Sequence, residues 1–416
     1  MIKRIAAALS FTAALCATSA FAQDANLEKL GGFQTTGTPM MVPIPQTGEN
    51  AEALKAIAAK IKVPAGFKIS LYAIVPDARH MAVGPQGVVT FVGTRKELAY
   101  SVTDRNKDRV ADDVKVFAPS IKMAVPNGFC FSKDGHLYLA EQNRVLWFPA
   151  AEFFYEGPDV AAFAIVKQGA LIPPAEESYN HTARTCRVGP DGRIYITIGQ
   201  PFNVPAAEKL PMYQELGMGG IISIKQDGSD RVIYSRGMRN PLGIDFNPKD
   251  KTIWVNDNQV DGMGDLIPAG ELNHVTGPNQ NFGFPWYGGG KTRTNEYKDA
   301  VVPDGVIFPA IERDAHAADL GLSFYNAKQF PEKYRGGIFS AQHGSWNRVD
   351  PVGARVLFTS LKPDGTADKT EVFAEGWLNE DGEYLGRPVD VQVLNDGSLL
   401  VSDDFAGAIW RISYGG

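Results

Sequence analysis

The sequence predicts an all-β protein, a six-bladed β-propeller of four-stranded antiparallel blades, and three observations carry that expectation. Gly and Pro are abundant, 43 and 27 of 416 residues, which suits many short strands joined by tight turns better than long helices. One pattern recurs six times: an apolar strand, a polar turn usually of the Asp-Gly or Pro-Asp-Gly type, and a second apolar strand, the local signature of a hairpin. After most copies comes a further apolar strand, so the repeating unit is an antiparallel sheet of about 50 to 60 residues with no long helix between copies. A twisted sandwich or a pair of β domains is the alternative arrangement of the same strands.

Residues 1–22 read as a secretory signal, with Lys3 and Arg4 as the charged start, Ile5 to Ala17 as the apolar run and Ala20-Phe21-Ala22 as the small-residue cleavage site. Cys16 lies in that run, but Leu15 before it fits a lipoprotein cleavage box poorly, so no lipid anchor is expected. Residues 23–62 read as a leader ending in a short helix, Glu52 to Lys62, and residues 63–416 as the propeller, with a long insert at about 260–315. No other apolar run approaches the ~20 residues of a membrane span, so the chain is expected to be periplasmic or secreted after cleavage near Ala22. Its net charge of −6, more negative still once Lys3 and Arg4 are removed, and its lack of a basic cluster argue against nucleic acid.

The hairpins are Met81 to Gly93, Phe129 to Glu141, Cys186 to Gly199, Ile244 to Asp257, a longer copy from Gly321 to Gly344, and Val391 to Asp404. Third strands are ELAYSV, RVLWFP, GIISIK, RVLFTSL and AIWRISY. Cys130 and Cys186 fall on comparable strands of consecutive repeats but one residue out of register. They read either as a disulfide of an oxidising compartment or as two buried thiols, and the register favours the thiols.

In a propeller the first strand of each blade lines the axis, and the loops before strand one and after strand two share a mouth. Before first strands stand Arg79, His80, Asn127, His181, the pair Arg239 and Asn240, His316, Asp319 and Arg387. After second strands stand Arg95, Glu141, Gln200, Asn258, Gln259, His343 and Asp404. His274 is placed beside them in the insert, and His136 in a turn at the opposite rim. Polar groups gathered at one mouth of an apolar repeat point to a site. The insert is Gly-rich and carries Phe282, Phe284, Trp286 and Tyr287, aromatics that favour order.

His181 has the chemistry of a general base, against a structural, hydrogen-bonded imidazole. Arg239 can stabilise an oxyanion or clamp a carboxylate, against a salt bridge between blades. The main-chain carbonyls of Asn258, Gln259 and Val260, with Asp261 and Asp265, offer the hard oxygens that suit Ca²⁺. A second candidate Ca²⁺ loop is DRNKDRVADD, with Asp104, Asn106, Asp108 and Asp112. Arg109 stands where an EF-type loop needs Gly, so a solvated turn is the favoured reading. No GxGxxG opens a helix, and no P-loop or GxSxG elbow occurs, which argues against a nucleotide cofactor and a serine hydrolase. No CxxCH motif occurs, so any haem belongs to a partner.

These residues resemble the soluble quinoprotein glucose dehydrogenase and L-sorbosone dehydrogenase family over roughly Val63 to Tyr414. The likeness rests on His181 before GPDG, RNPLG at Arg239 to Gly243, NDNQ with GELN and NFGFPW, HAADLGLSFY, HGSWNR and GRPVDV. HAADLGLSFY and HGSWNR are closer to the sorbosone branch. The resemblance implies an exported six-bladed propeller using pyrroloquinoline quinone (PQQ) with Ca²⁺. It places the quinone carboxylates on Arg239, Asn240 and Arg387, with His343 and Arg348 as further cofactor contacts, and Ca²⁺ on the main-chain carbonyls of Gln259 and Val260. His181 would take the proton of a sugar hydroxyl as hydride passes to the quinone, and Arg239 would stabilise the reduced oxygen. Electrons would go to an external acceptor such as a cytochrome, and the substrate would be an aldose or sugar aldehyde.

There are departures. Val389 stands where the glucose enzymes carry a second Arg, Arg348 takes the place of a Lys, and Asn180 replaces the acid before the base, so glucose is not inferred. The alternatives are a Ca²⁺-dependent lactonase-like propeller hydrolase, which needs carboxylates converging on the metal, and a non-enzymatic propeller that binds a sugar or partner at its mouth.

Overall fold

All six recurring hairpins form, and each supplies the first two strands of an antiparallel sheet of four. In chain order the inner pairs are Met81–Val83 with Val89–Val92, Gly128–Phe131 with Leu137–Ala140, and Cys186–Val188 with Ile194–Ile198. They continue with Asn240–Phe246 and Ile253–Asn258, Asp319–Phe324 and Ile338–Gln342, and Pro388–Val393 and Leu399–Asp403. First strands of neighbouring blades touch around the axis, and the architecture is the six-bladed β-propeller expected. The computed structural model describes residues 33–34, 42–156 and 160–415. The signal peptide expected at 1–22 and most of the leader lie outside the described residues.

The ring is closed by strands from both ends of the propeller. Phe67–Ile74 pairs antiparallel with Ala408–Tyr414, Phe67 opposite Tyr414 and Ile74 opposite Ala408, to complete blade 6. This removes a free edge where the circle begins and ends. An aromatic cluster of Phe67, Phe330, Tyr334, Phe339 and Phe373 packs edge-to-face and offset between blades 5 and 6. At the axis Ala183, Leu242, Leu320 and Val389 form a small buried apolar cluster. No helix among the described residues is long and apolar enough to cross a membrane.

Three expectations change. The leader helix spans Glu49–Ala58, not Glu52 to Lys62. Lys62 instead exchanges main-chain hydrogen bonds of 2.7 and 3.1 Å with Glu375, so the blade edge claims the end of the segment. The insert at 260–315 is partly propeller: Gly270–Val275 and Ile311–Arg313 are the third and fourth strands of blade 4, while Gln280–Asn281 adds a parallel strand to blade 3. That third strand escapes an apolar pattern because it buries Glu271 and Asn273.

Cys130 and Cys186 form a disulfide with their Cα atoms 5.6 Å apart. The register argument fails because the two strands belong to different sheets meeting side to side. Gly128 allows the approach, since a Cβ there would lie 2.5 Å from the Arg184 carbonyl oxygen. The bond therefore ties the inner strands of blades 2 and 3 together.

Candidate active site

Asn240 lies opposite Asn258 and Pro241 opposite Asp257 in the blade 4 hairpin, so the Arg-Asn pair and the NDNQ loop share one rim. The buried Asp257 fixes that corner: its Oδ2 accepts the Arg239 N–H at 3.0 Å and its Oδ1 the Asn240 N–H at 2.7 Å. Glu271 is its cross-strand neighbour. Burial raises both carboxyls, and the charge on Asp257 raises Glu271 further. Glu271 likewise accepts from the Gly290 N–H and Asn273 Nδ2, but only Asp257 has the Arg239 charge beside it, so Asp257 is the one held toward its charged form.

His181 is presented by the loop before blade 3. Its backbone is left-handed, φ 52°, a conformation of the kind that tertiary structure must enforce. Arg184 helps do so from below, donating from Nη1 to the His181 carbonyl at 2.7 Å and from Nε to the Gln142 carbonyl at 3.2 Å. His181 Nδ1 donates to the Gln200 carbonyl, which leaves the Nε2 lone pair available. The Gln200 N–H donates to the Arg239 carbonyl at 2.9 Å, so one residue links the His181 ring to the Arg239 backbone. Burial and then the Arg239 charge push the imidazole down to about 3, and His181 is neutral at any ordinary pH.

Arg239 is 3% exposed. Its Nη2 donates to Asp261 Oδ2 at 2.6 Å and Asn203 Oδ1 at 2.8 Å, its Nε to the Asn203 carbonyl at 3.0 Å, and its Nη1 to the Asn258 carbonyl at 3.3 Å. Asp261 also accepts from Asn347 Nδ2 at 2.8 Å. Sequence reasoning singled out neither Asn203 nor Asn347; position after a second strand was the only signal for Asn203, whereas Asn347 lies within the HGSWNR motif. Arg387 is braced by the His343 and Ser345 carbonyls at 3.1 and 3.0 Å and lies over the Tyr384 ring. His343 Nε2 meets Asp404 Oδ1 at 2.8 Å, and Arg79 pairs with the other oxygen of the same carboxylate.

These groups surround an inner cavity of about 380 Å³. Arg79, Arg95, Arg239 and Arg387 lie on its wall with His181, Asn240 and His343; Asn258, Gln259, His316 and Asp319 add to the polar lining, as do Asp257 and Asp261. An outer cavity of about 520 Å³ adjoins it, sharing His181, Arg239 and Asp261 and adding Asn203 and Asp265. Trp346, 75% exposed, borders both.

Several expected members are elsewhere. Arg348 bonds the Asp350 and Ala315 carbonyls and lines a separate groove, not the mouth. His274 belongs to a blade 4 strand, where it stacks on Trp254 at 4.2 Å and meets Thr252 Oγ1 at 2.8 Å. His80 is buried near Asp390, beneath the cavity.

The main-chain carbonyls of Gln259 and Val260 accept no hydrogen bond among the described residues, which leaves two hard oxygens free. Gln259 lies on the cavity wall, whereas the Val260 side chain is buried against Gly288. The loop with Asp104, Asn106, Asp108 and Asp112 bonds largely within itself, although Asp104 Oδ1 is buried without a partner among the described residues. Asp112 accepts the Arg105 N–H at 2.6 Å and Asn106 Nδ2 at 3.1 Å, Asp104 accepts the Arg109 N–H and guanidinium at 3.3 Å, and Asn106 caps Asp108.

A model of the glucose / sorbosone dehydrogenase family matches residues 164–411. The chain belongs to that family. An uncharacterized protein of Borreliella burgdorferi is 31% identical over 371 residues, 87% of this chain and 93% of that protein. An aldose sugar dehydrogenase of Escherichia coli is 29% identical over 242 residues, 53% of this chain and 57% of that enzyme. The holo PQQ domain of a pyranose dehydrogenase from Coprinopsis cinerea superposes with a TM-score of 0.67 at 16% identity, covering 85% of this chain and 97% of that one. A calcium structure of a Trichoderma reesei enzyme of carbohydrate-active family AA12 gives 0.69 at 17%, with the same coverage. These two likenesses concern the fold. Family membership supports an oxidoreductase that acts on a sugar.

Proposed function

We propose that the protein is an exported PQQ- and Ca²⁺-dependent dehydrogenase of an aldose or sugar aldehyde, on the sorbosone side of its family, that hands electrons to an external acceptor such as a cytochrome. One observation carries the reading: a neutral imidazole, its Nδ1 tied to a carbonyl, stands beside a buried guanidinium in a cavity walled by four arginines. Four guanidinium groups fit a ligand with several carboxylates. Asn240 Oδ1 and Asn347 Oδ1, on the same wall, are buried without a partner, and the free carbonyls of Gln259 and Val260 fit a hard cation. When bound, the quinone would supply a hydride acceptor and Ca²⁺ a Lewis acid beside it.

Within that frame the chain's own groups divide the work. Arg239, Asn240 and Arg387 hold the anionic cofactor. His181 Nε2 receives the substrate's hydroxyl proton as the C–H bond at the same carbon gives up its hydride, so the carbinol becomes a carbonyl. Arg239, fixed by Asp261 and Asn203, keeps positive charge where the accepting oxygen gains electrons. Trp346 and the polar outer cavity are suited to a sugar, an apolar face for its C–H groups and donors and acceptors for its hydroxyls.

The lactonase-like reading needs side-chain carboxylates converging on a metal, and among the described residues no group of three or more acidic, His or Cys side chains is placed to hold one. The test is to add PQQ and Ca²⁺ to metal-stripped protein and follow dye reduction over a panel of aldoses, sorbosone included. Activity that needs both additions and is lost in His181→Ala, with quinone binding retained, is the expected result. Failure to bind the quinone would overturn the proposal.

A further inference from the structure

Of the four arginines on the inner cavity wall, three are already committed. Arg239 is spent on Asp261, Asn203 and Asn258, Arg387 on three loop carbonyls, and Arg79 on Asp404 and Asn127. Arg95 differs: its guanidinium has no hydrogen bond or ion pair among the described residues. The carboxylate in whose field it lies, Asp404, is held by Arg79 and His343. The Arg95 side chain is exposed to solvent on the cavity wall, beside the Arg79 charge. A guanidinium does not give up its proton in a protein, so Arg95 remains a cation without a counter-charge, facing the cavity.

Its backbone, by contrast, is pinned on both sides. The Thr94 N–H reaches the Pro126 carbonyl at 3.2 Å, Thr94 Oγ1 donates to the Leu98 carbonyl at 2.6 Å, and the Lys96 carbonyl accepts from Val125 N–H at 2.9 Å. A fixed loop therefore presents an unpaired planar fork to the cavity, open to a bidentate carboxylate contact. The cation is also needed there. Val389, 4% exposed, is part of the apolar cluster with Ala183, Leu242 and Leu320, and Arg348 is directed away from the mouth.

We infer that Arg95 is a ligand-binding residue of the inner cavity that receives a carboxylate of the quinone cofactor. The inference rests on the functional reading above. A carboxylate could also come from an acidic sugar. The cofactor is favoured because Arg95 borders the inner cavity and is not part of the outer one.

The test is calorimetric titration of PQQ, with Ca²⁺ and no sugar, into wild-type protein, Arg95→Ala and Arg95→Lys, at low and high salt. Arg95→Ala should weaken quinone binding roughly 10- to 100-fold and flatten its salt dependence. Arg95→Lys should recover part of the loss, with thermal midpoints of the unliganded proteins unchanged. Equal quinone affinity in wild type and Arg95→Ala overturns the inference while leaving the functional reading intact. So does a variant that binds quinone normally but no longer distinguishes a uronate from a neutral aldose, which would assign Arg95 to the substrate. No quinone binding by the wild type would remove both.

Discussion

Gly199 is the position where the smallest change should separate chemistry from folding. It follows the second strand of blade 3, and a Cβ built there lies 2.6 Å from Asn240 Oδ1 and 2.8 Å from His181 Cβ. Its φ is not in the left-handed region, so alanine is tolerated by the backbone and the effect of Gly199→Ala is steric alone. Restoring ordinary contact at about 3.4 Å displaces the amide oxygen by about 0.8 Å and the histidine by about 0.6 Å. The histidine cannot yield by rotating, because the clash is at its Cβ and its ring is anchored on Gln200. A shift of that size in a reacting group costs on the order of 10- to 100-fold, while overpacking at one site costs about 1–3 kcal/mol of stability. The assay is kcat/KM for an aldose with PQQ and Ca²⁺ in dye reduction, beside the calorimetric affinity for PQQ and the urea midpoint. A kcat/KM within twofold of wild type would refute the claim that His181 and Asn240 are held in working position by their approach across Gly199.

Other outcomes follow from the same geometry. His181 is neutral in the fold down to about pH 3 but protonates near 6.5 when unfolded, so stability is full above 6.5 and declines as pH falls toward 3. His181→Gln should remove about 2–3 kcal/mol of the loss seen between pH 7 and 4.5 in urea titrations, and an unchanged slope would contradict a buried neutral imidazole. Replacing Cys130 and Cys186 together by Ser opens a cross-link spanning 56 residues; it should cost roughly 2–4 kcal/mol in denaturant titration with the site unaltered, and no change would mean the bond contributes nothing to the fold. Chelation should abolish dye reduction, and Gln259→Ala should still respond to added Ca²⁺ because the ligand assigned there is a main-chain oxygen; a Ca²⁺ response lost in that variant would point to its side chain.

The legible part of the sequence was whatever obeys a period. Alternation and turn residues gave the six inner hairpins, and with them the mouth, because topology alone puts Arg239, His181 and Arg387 at one rim. Two features escaped because they break the pattern for a reason. The third strand of blade 4 buries Glu271 and Asn273 beside Asp257, so it reads as polar loop although it is central sheet. The disulfide depends on how two sheets meet, which hairpin register does not determine. Loop direction was likewise hidden: HGSWNR reaches the mouth with His343, Trp346 and Asn347, while Arg348, the next residue, leaves it for two carbonyls in a separate groove.

The electrostatics of the site give these placements a common sense. Arg239, Arg184 and Arg95 all depress His181, and a base held near 3 is a weak acceptor for a hydroxyl proton. The depression belongs to the cavity in which, among the described residues, Arg95 has no paired carboxylate and Arg239 has Asp261 alone. An anion with several carboxylates seated among them would offset their charge and raise the imidazole toward the range where proton transfer is efficient. The coupling through Gln200, whose carbonyl holds Nδ1 and whose N–H holds the Arg239 carbonyl, keeps the geometry constant while the field changes. Base strength would then be linked to occupancy of the inner cavity: weak when the cavity is empty, and strengthened when a hydride acceptor lies beside the substrate carbon.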